Sequence, residues 1–534
     1  MPKLSDAEIN DILAQNDDLK TIRAESESEY ELLSHYVSPK KIKDNKALLT
    51  PRCDSTAIHS NELLAASLNG TLTASHSKWF SLKLRDYGLN QNKEVKEWLQ
   101  LCEDKIYLAI RQSNFNSEAF EVYLDLGCFG TGCLLCEEKE IVYPGFNGLL
   151  FRSTPFSEYC ISENAEGVVN TVFREFKITS KAAVRKWANA EKNEKIKKLS
   201  ESNPYEYIDI LHCVYPSEEN DRQFLSYYIS IEDKVLLHDQ VYHSFPYCVP
   251  RWAKTSGSVY GYGPGHVALP DIKTLNKAKE LDLESWALDI LPPTFEKEYS
   301  VIGSLRMQPA ARNIAKDRDS IWTLNRNVRY DVTQIKEEAI RTSIRQIFYS
   351  DQLKLQEGPE MTATEVQVRY ELMQRLLGPT IGRLENEFLN VLIERVFDIL
   401  TRAGVLPVAP AILTKNGASI DIEYEGPLAK SQRSAELTAL KSLYSLVGEL
   451  SRMKQDNSLF DLLDDDKAII TAADILGVQT RIFKDEKVVK EIRKGRAHWQ
   501  ATEQQKLDAE RTVEGVGKLA PAMAVAKKYE NPNQ

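Results

Sequence analysis

TATEVQVRYELMQRLLGPTIGRLENEFLNVLIERVFDILTR, residues 362–402, writes one very long helix. Thr362 and Glu365 stand at capping-box spacing, so a hydroxyl can accept an exposed amide at the helix start while the carboxylate reaches back. Val366, Met373, Leu377, Ile381, Leu384, Phe388, Leu392, Val396 and Ile399 recur at steps of three, four and, once, seven residues, a continuous apolar stripe. Roughly 40 residues at helical rise span about 60 Å, longer than an ordinary globular helix needs. Gly378-Pro379 falls near the middle, where the ring removes an amide and crowds the preceding turn, so a kink is expected there. Just upstream lies the loop Leu355-Gln356-Glu357-Gly358-Pro359-Glu360. A helix of this length with no reactive constellation beside it reads as a strut.

Around that strut the chain has 534 residues, enough for three or four modules on the usual length scale. Hydrophobic residues make up 42% and charged residues 27%, which suits a folded chain rather than a disordered one. No apolar run of membrane-spanning length occurs, and Met1-Pro2-Lys3-Leu4-Ser5-Asp6 lacks an apolar signal core, so no membrane association is expected and a cytosol-like compartment is. Eight cysteines are too sparse for a disulfide scaffold and read as reduced thiols. The net charge of −10 argues against bulk attraction to nucleic acid, which basic proteins achieve by neutralising phosphates. It does not argue against letting DNA slide past.

Secondary-structure patterning is mixed. Residues 6–37 are helical and acid-rich, a second helix covers His59–Leu72, Trp79–Leu82 is extended, and Val95–Gln112 is amphipathic. Residues 118–137 read as a buried helix end turning into a strand. Between 141 and 260, Asn170–Lys177, Tyr207–Val214, Phe224–Ile231 and Val235–Val241 are short alternating runs that predict a β-rich module, with a helix capped by Thr179 or Ser180 after the first. Gly257–Gly265 reads as a flexible connector. A helix then opens at Pro270-Asp271 and stops before Pro292-Pro293, short strands and turns fill 294–335, and Glu337–Leu353 is helical again. Beyond the strut, Pro407–Glu425 reads as a β-element, Leu428–Met453 as a helix, Asp464-Asp465-Asp466 as a helix start, 484–512 as a charged helix and the end of the chain as disordered.

No motif rises to an active site. Cys133-Leu134-Leu135-Cys136, with Cys128 nearby, has half the spacing of a zinc site, but no second pair follows and the leucines favour burial. Gly261-Tyr262-Gly263-Pro264-Gly265 brings its third glycine one position too early for a dinucleotide fingerprint, and its proline removes an amide a phosphate would use. Asp464–Asp466 suits a solvated helix cap better than a divalent-metal site. No metal, cofactor or catalytic residue is therefore assigned. One charge pattern stands out. Between Gly303 and Arg345, nine basic residues (Arg306, Arg312, Lys316, Arg318, Arg326, Arg329, Lys336, Arg341, Arg345) face five acidic ones, a surplus of +4 in an acidic chain. It reads either as a solvated face or as a contact to DNA phosphates or a subunit. Arg481 to Arg496 is a second basic run, read in the same two ways.

Several stretches, taken in order, resemble the head-to-tail connector, or portal, family of short-tailed bacteriophages. They are Asp125-Leu126-Gly127-Cys128-Phe129-Gly130-Thr131-Gly132-Cys133-Leu134, Phe151-Arg152-Ser153-Thr154-Pro155-Phe156-Ser157-Glu158-Tyr159, Gly167–Arg174, Tyr260-Gly261-Tyr262-Gly263-Pro264-Gly265 through Asn276, Met361–Val366 and Tyr424–Ala429. Each is weak alone; their order and spacing over about residues 10–510 carry the likeness.

The resemblance implies an α+β portal-type subunit and no enzymatic activity. Residues 1–265 would form an α/β wing, and 266–353 a stem helix, a small β-containing clip and a second stem helix. Residues 354–428 would carry a tunnel loop, the long kinked wing helix and a small β-element, and 429–534 a helical crown with a disordered tail. It further implies a homo-oligomeric ring, a dodecamer of about twelve subunits, whose closure uses two different faces of each copy. Double-stranded DNA would pass through its channel during packaging and ejection. Implied partners are the terminase large subunit, a tail or adaptor protein, and the major capsid and scaffolding proteins, at the head–tail junction of a virion assembled in the host cytoplasm. Arg306, Arg312, Lys316, Arg318, Arg326 and Arg329 become candidate clip contacts to DNA or partners, and Lys354, Gln356, Glu357, Gly358, Pro359 and Glu360 the candidate tunnel loop. The crown is short for the family, and Gly-Pro-Glu in the loop gives no basic DNA-gripping tip. Twelve copies of −10 sum to about −120, so such a ring would repel DNA except at chosen basic positions. The competing readings are a structural virion or scaffold protein without a channel, and a metal-dependent hydrolase using Asp464–Asp466 or the cysteines.

Overall fold

The computed structural model describes residues 4–24, 27–39, 52–75, 78–90, 92–139, 145–218, 223–296, 298, 301–302, 314–315, 317, 319, 321–323, 330–353, 377–416, 420–424, 427–454, 462–476, 482, 484 and 488–506. The chain divides into two units, Met1–Tyr87 with Trp98–Gln432, and Gly88–Glu97 with Arg433–Gln534.

In the first unit a five-stranded antiparallel sheet runs in the order β4 (Tyr159–Glu163), β5 (Val169–Thr179), β6 (Tyr207–Pro216), β7 (Phe224–Ser230) and β8 (Val235–Tyr242). Its two faces follow the period-2 alternation of the strands. Ile208 and Ile210 of β6 pack with Ala183, Trp187, Ala190 and Ile196. These come from the short helices α7 (Ser180–Lys186), α8 (Ala188–Lys192) and α9 (Glu194–Ser202). Leu211 and Cys213, on the other side of β6, meet Ile9 and Ile12 of α1 (Asp6–Ala24). The expected helix after β5 is thus present, with Thr179 at its N-cap but making no side-chain cap bond. The helical stretch expected over 6–37 consists of two helices, α1 and α2 (Glu27–Tyr36).

Beside the sheet, α3 (Thr56–Leu72) and α6 (Phe115–Phe129) pack together through fully buried Leu64, Ala65, Ala119, Val122 and Leu126. In the chain, α4 (Tyr87–Asn90) and α5 (Lys93–Arg111) precede α6, and Gly88–Glu97, most of α4 with the start of α5, belongs to the second unit. As expected, α6 turns into a buried strand, β2 (Leu134–Glu138), which pairs with β3 (Leu149–Ser153) and β9 (Tyr247–Cys248). β1 (Phe80–Leu84) pairs antiparallel with β14 (Ile420–Tyr424), Phe80 opposite Tyr424, which joins two segments 340 positions apart. The β-element expected over 407–425 is therefore only its last part, since Ala411–Asn416 is a short helix, α15.

Two helices depart from their expected bounds. α10 runs Pro264–Ile290, so it starts at Pro264 rather than at Pro270. Pro264 occupies the first helical position, where a missing amide costs nothing, and Gly263 precedes it in extended conformation. The second expected helix begins earlier, as α11 (Tyr330–Ile347), and is interrupted before α12 (Ser350–Leu353). The break is at Tyr349, whose φ of 58° lies in the left-handed region that side chains other than glycine seldom adopt. Among the described residues, four short strands lie between them: β10 (Thr294–Glu296) pairs with β13 (Ile321–Thr323), and β11 (Val301–Ile302) with β12 (Ile314–Ala315).

The strut is described from residue 377. Helix α13 (377–384) leads without a gap into a π-helical segment, Glu385–Asn390, and then α14 (Val391–Arg402), which ends at the expected residue. Its capping box and the turn upstream of Gly378-Pro379 lie outside the described residues. The irregularity in the described part is the π segment, where one extra residue lets both Phe388-Leu389 and Leu392-Ile393 turn inward, all four at most 1% exposed.

The second unit holds α16 (Pro427–Lys454) from Arg433 onward, α17 (Asp465–Leu476) and α18 (488–506). They match the three C-terminal helices expected from the pattern. The tail expected to be disordered lies outside the described residues.

Candidate functional site: a rooted helix pair

The two glycine-rich stretches that read separately in the sequence fold against one another. Gly130 ends α6 at φ 70°, and its carbonyl accepts from Trp252 N at 2.8 Å. Gly261 N donates to Thr131 Oγ1 at 2.7 Å. An added Cβ would lie 2.1 Å from the Gly130 carbonyl oxygen at Gly261, 2.7 Å from Leu126 O at Gly263 and 2.3 Å from Cys128 O at Gly265. Only glycine permits that approach of backbone to backbone. The run Gly261–Gly265 is therefore neither a phosphate cradle nor a flexible connector. It is a packed crossing that fixes where α10 leaves the body.

From this root α10 and α11 run antiparallel and are buckled by charge. Lys279 Nζ reaches Glu337 Oε2 at 2.8 Å, Arg341 bridges Asp54, Glu337 and Glu338, Arg345 takes Glu338, and Ser343 donates to Asp271. Asn276 Oδ1 accepts from Cys53 N and Asp54 N. Burial would raise the Asp54 carboxyl, but Thr56 and the Arg341 guanidinium outweigh it and hold the group below the usual carboxylate range. Arg341 and Arg345, counted in the sequence as part of a basic surplus, are thus spent inside the pair.

The outer half of α10 is bare. Leu281, Leu283, Trp286, Leu288 and Ile290 are all exposed, Trp286 to 58%, and Phe295 and Trp322 stack beyond them with ring centres 5.7 Å apart. At 100° per residue, Leu283, Trp286 and Ile290 prolong the line of Ile272, Leu275 and Lys279, the side that faces α11, while Leu281 and Leu288 point the opposite way. One rod presents two apolar faces.

The candidate contact residues sit between these elements in the chain: Arg306 and Arg312 between β11 and β12, Lys316 and Arg318 between β12 and β13, Arg326 and Arg329 between β13 and α11. All six, and likewise Lys354, Gln356, Glu357, Gly358, Pro359 and Glu360, lie outside the described residues.

The remaining candidates resolve into structure. Cys128, Cys133 and Cys136 are fully buried, and burial pushes the Cys133 and Cys136 thiols up to about 12, far from a reactive thiolate. Asp464 caps α17 through Lys467 N, Asp465 accepts from Tyr444 OH, and Asp466 accepts two bonds from Arg493. What sequence reasoning missed is a buried ion cluster behind the root. Arg251, 1% exposed, donates to both oxygens of Glu387 in the π segment, to Glu163 Oε2 at 2.9 Å, and to the Val259 and Gly167 carbonyls. Lys254 completes it on Glu163. Arg395 is similarly enclosed, over the Tyr242 ring and bonded to Cys136 O and Ser244. No local pattern marks the cluster, since the carboxylate partners of Arg251 and Lys254 are more than 80 positions away.

Against known proteins, the family model described as "Bacteriophage head to tail connecting protein" matches residues 10–483. The chain belongs to that family. Among its relatives, the "Probable portal protein" of Bordetella phage BPP-1 is 29% identical over 474 residues, covering 85% of this chain and 83% of that one. The "Portal protein" of Salmonella phage epsilon15 is 24% identical over 526 residues, covering 92% of each. A solved chain from the virion of a native gene transfer agent particle covers 68% of this chain and 89% of its own at 11% identity and a TM-score of 0.29, too low to carry an argument. This head-to-tail connecting protein is a structural component of the phage virion at the head–tail junction, not an enzyme. Among the described residues no helix is long and apolar enough to cross a membrane.

Proposed function

We propose that copies of this chain close into a ring whose central hole conducts double-stranded DNA. The observation that carries this reading is the outer half of α10, a helix exposed on two opposite apolar faces. A lone chain gains nothing from the apolar face turned away from α11, whereas a ring closed by head-to-tail contacts buries it against a neighbour. In this reading the wing is residues 1–265, α10 and α11 are the stem, and β10–β13 with their connections form the clip. Residues 354–360 are the tunnel loop and 429–534 the crown. The ring is a dodecamer, and it meets the terminase large subunit, then a tail or adaptor protein, with the major capsid and scaffolding proteins around it. An acidic body repels DNA, and the clip arginines supply the exceptions.

Purified wild-type protein should show rings with a central hole by electron microscopy. Leu288→Asp, which places a charge on the face turned away from α11, should leave the chain folded and shift it to smaller species. A wild type that stays monomeric at every salt concentration overturns the ring.

The clip assignment has its own test. Reversing Arg306, Arg312 and Arg326 to Glu should leave rings intact and strongly reduce packaged genomes or tailed particles, scored by DNA content and infectivity. Normal packaging and infectivity in that variant would favour a scaffold without a DNA-handling clip.

A further inference from the structure

The C-terminal part of the second unit has almost no core among its described residues. Across 436–506 only Ser451 and Ala473 are buried among the described residues, and every described residue of α18 except Val489 is exposed. A 19-residue helix so exposed is marginal in water, and its stability has to come from packing an apolar face.

α16 shows where that packing goes. Leu437, Leu440, Tyr444, Val447 and Ser451, all partly or fully buried, step by three and four along one side. Leu443, Leu446, Leu450 and Met453 step by three, four and three along another, and all four are exposed, Met453 to 83%. At helical pitch the two lines lie about 120° apart. Two heptad-spaced seams on one helix belong to a bundle in which it touches two different partners.

α18 carries a stripe to match: Val488, Ile492, Gly495 and Trp499, at steps of four, three and four. The three side chains are exposed, and a Cβ added at Gly495 would meet nothing within 4 Å, so no packing inside the chain requires the glycine there. Opposite a leucine knob, it is a hole. Arg493, about 130° round α18 from the stripe, is held by Asp466 of its own chain, so the contact to α17 uses a different side of the helix.

We infer that the outer seam of α16 is the seat for α18 of a neighbouring copy, so that the core of the C-terminal unit is built between subunits. The inference rests on the ring reading above and specifies a contact within it. Once the ring closes, each copy's α16 is lined on one side by its own chain and on the other by its neighbour.

The test uses full-length protein with Leu446→Cys and Ile492→Cys, singly and together, under mild oxidation. The native cysteines give little background, since seven are buried and Cys53 is half-buried. The double variant should give a ladder of covalent multimers on a non-reducing gel that neither single variant gives. The ladder should persist when the chain is cut back after Lys506. Rings that form while the double variant stays uncrosslinked overturn the inference and leave the ring standing. A crosslink confined within one chain overturns it too, as does a ladder lost on truncation with rings intact, which would make residues 507–534 the occupant. Absence of rings altogether removes the ring reading and this contact with it.

Discussion

Gly261→Ala should abolish a soluble, cooperatively folding chain, or lower its stability by about 3 kcal/mol or more if it folds at all. The added methyl has nowhere to go. Its ideal position is 2.1 Å from the Gly130 carbonyl oxygen and 3.0 Å from the Arg251 Cβ, and the nearest of these is backbone, which cannot swing aside like the end of a side chain. Gly265→Ala meets Cys128 O at 2.3 Å and should behave the same way. Gly257→Ala is the control from the same connector. Its φ of 87° makes alanine strained, but nothing lies within 4 Å, so about 1 kcal/mol should be lost and no more. Gly378, helical with open space around it, should tolerate alanine or gain up to about 1 kcal/mol from its better helix propensity. Thermal unfolding midpoints and soluble yield order the four variants. A crossing that accepted Gly261→Ala at the cost of Gly257→Ala would mean that α10 is not rooted there.

The same crossing shows what the sequence could and could not tell. β6, β7 and β8 were legible to within a residue or two because alternation imposes a period that nothing else in the chain mimics. The end of the strut at Arg402 was legible for the same reason, in the helical period. The π segment was not, since three- and four-residue steps absorb an extra residue without a visible break. Its trace is a doubled stripe, Phe388-Leu389 followed by Leu392-Ile393, broader than one helical face needs. The start of α10 was misjudged because two prolines, Pro264 and Pro270, each satisfy the rule for a helix opening, and Pro270 lies inside. Gly127–Gly132 read only as part of a helix end turning into a strand, and Gly261–Gly265 as a flexible turn, because each needs the other to explain it. The family was legible from the order of such stretches, the chemistry of their contacts only from the fold. The three motifs weighed for chemistry were set aside on spacing, and the fold gives each another place: the cysteines are core, the Asp464–Asp466 carboxylates are engaged with Lys467, Tyr444 and Arg493, and the glycines are a joint.

Arg251→Met should cost about 2–3 kcal/mol, the second large effect, because it removes a buried cation and leaves two half-buried carboxylates short of a partner. Arg251 spans three segments: the end of β4 through Glu163, the turn at Gly167, and the π segment through Glu387, whose Oε2 also accepts Arg251 N at 3.0 Å. Loss of the guanidinium leaves Glu163 with Lys254, and Glu387 with the longer 3.7 Å pairing to Arg383. Glu387→Gln added to Arg251→Met should therefore recover part of the loss, as expected when the penalty is an uncompensated charge rather than a missing contact. Arg251→Lys should not rescue, since one ammonium cannot serve both carboxylates and two carbonyls in a plane. The acid limb carries the sign. Burial pushes Glu163 up, yet Lys254 and Arg251 together bring it below its ordinary 4.5, so its contribution is full above that pH and is lost as pH falls through the lower folded value. The gap between wild type and Arg251→Met should be widest near neutral pH and close below about 4.5. Chemical denaturation of both proteins across that range measures it. A gap that does not narrow in acid would show that Arg251 acts by its bulk alone, and the π segment would then need another reason to exist.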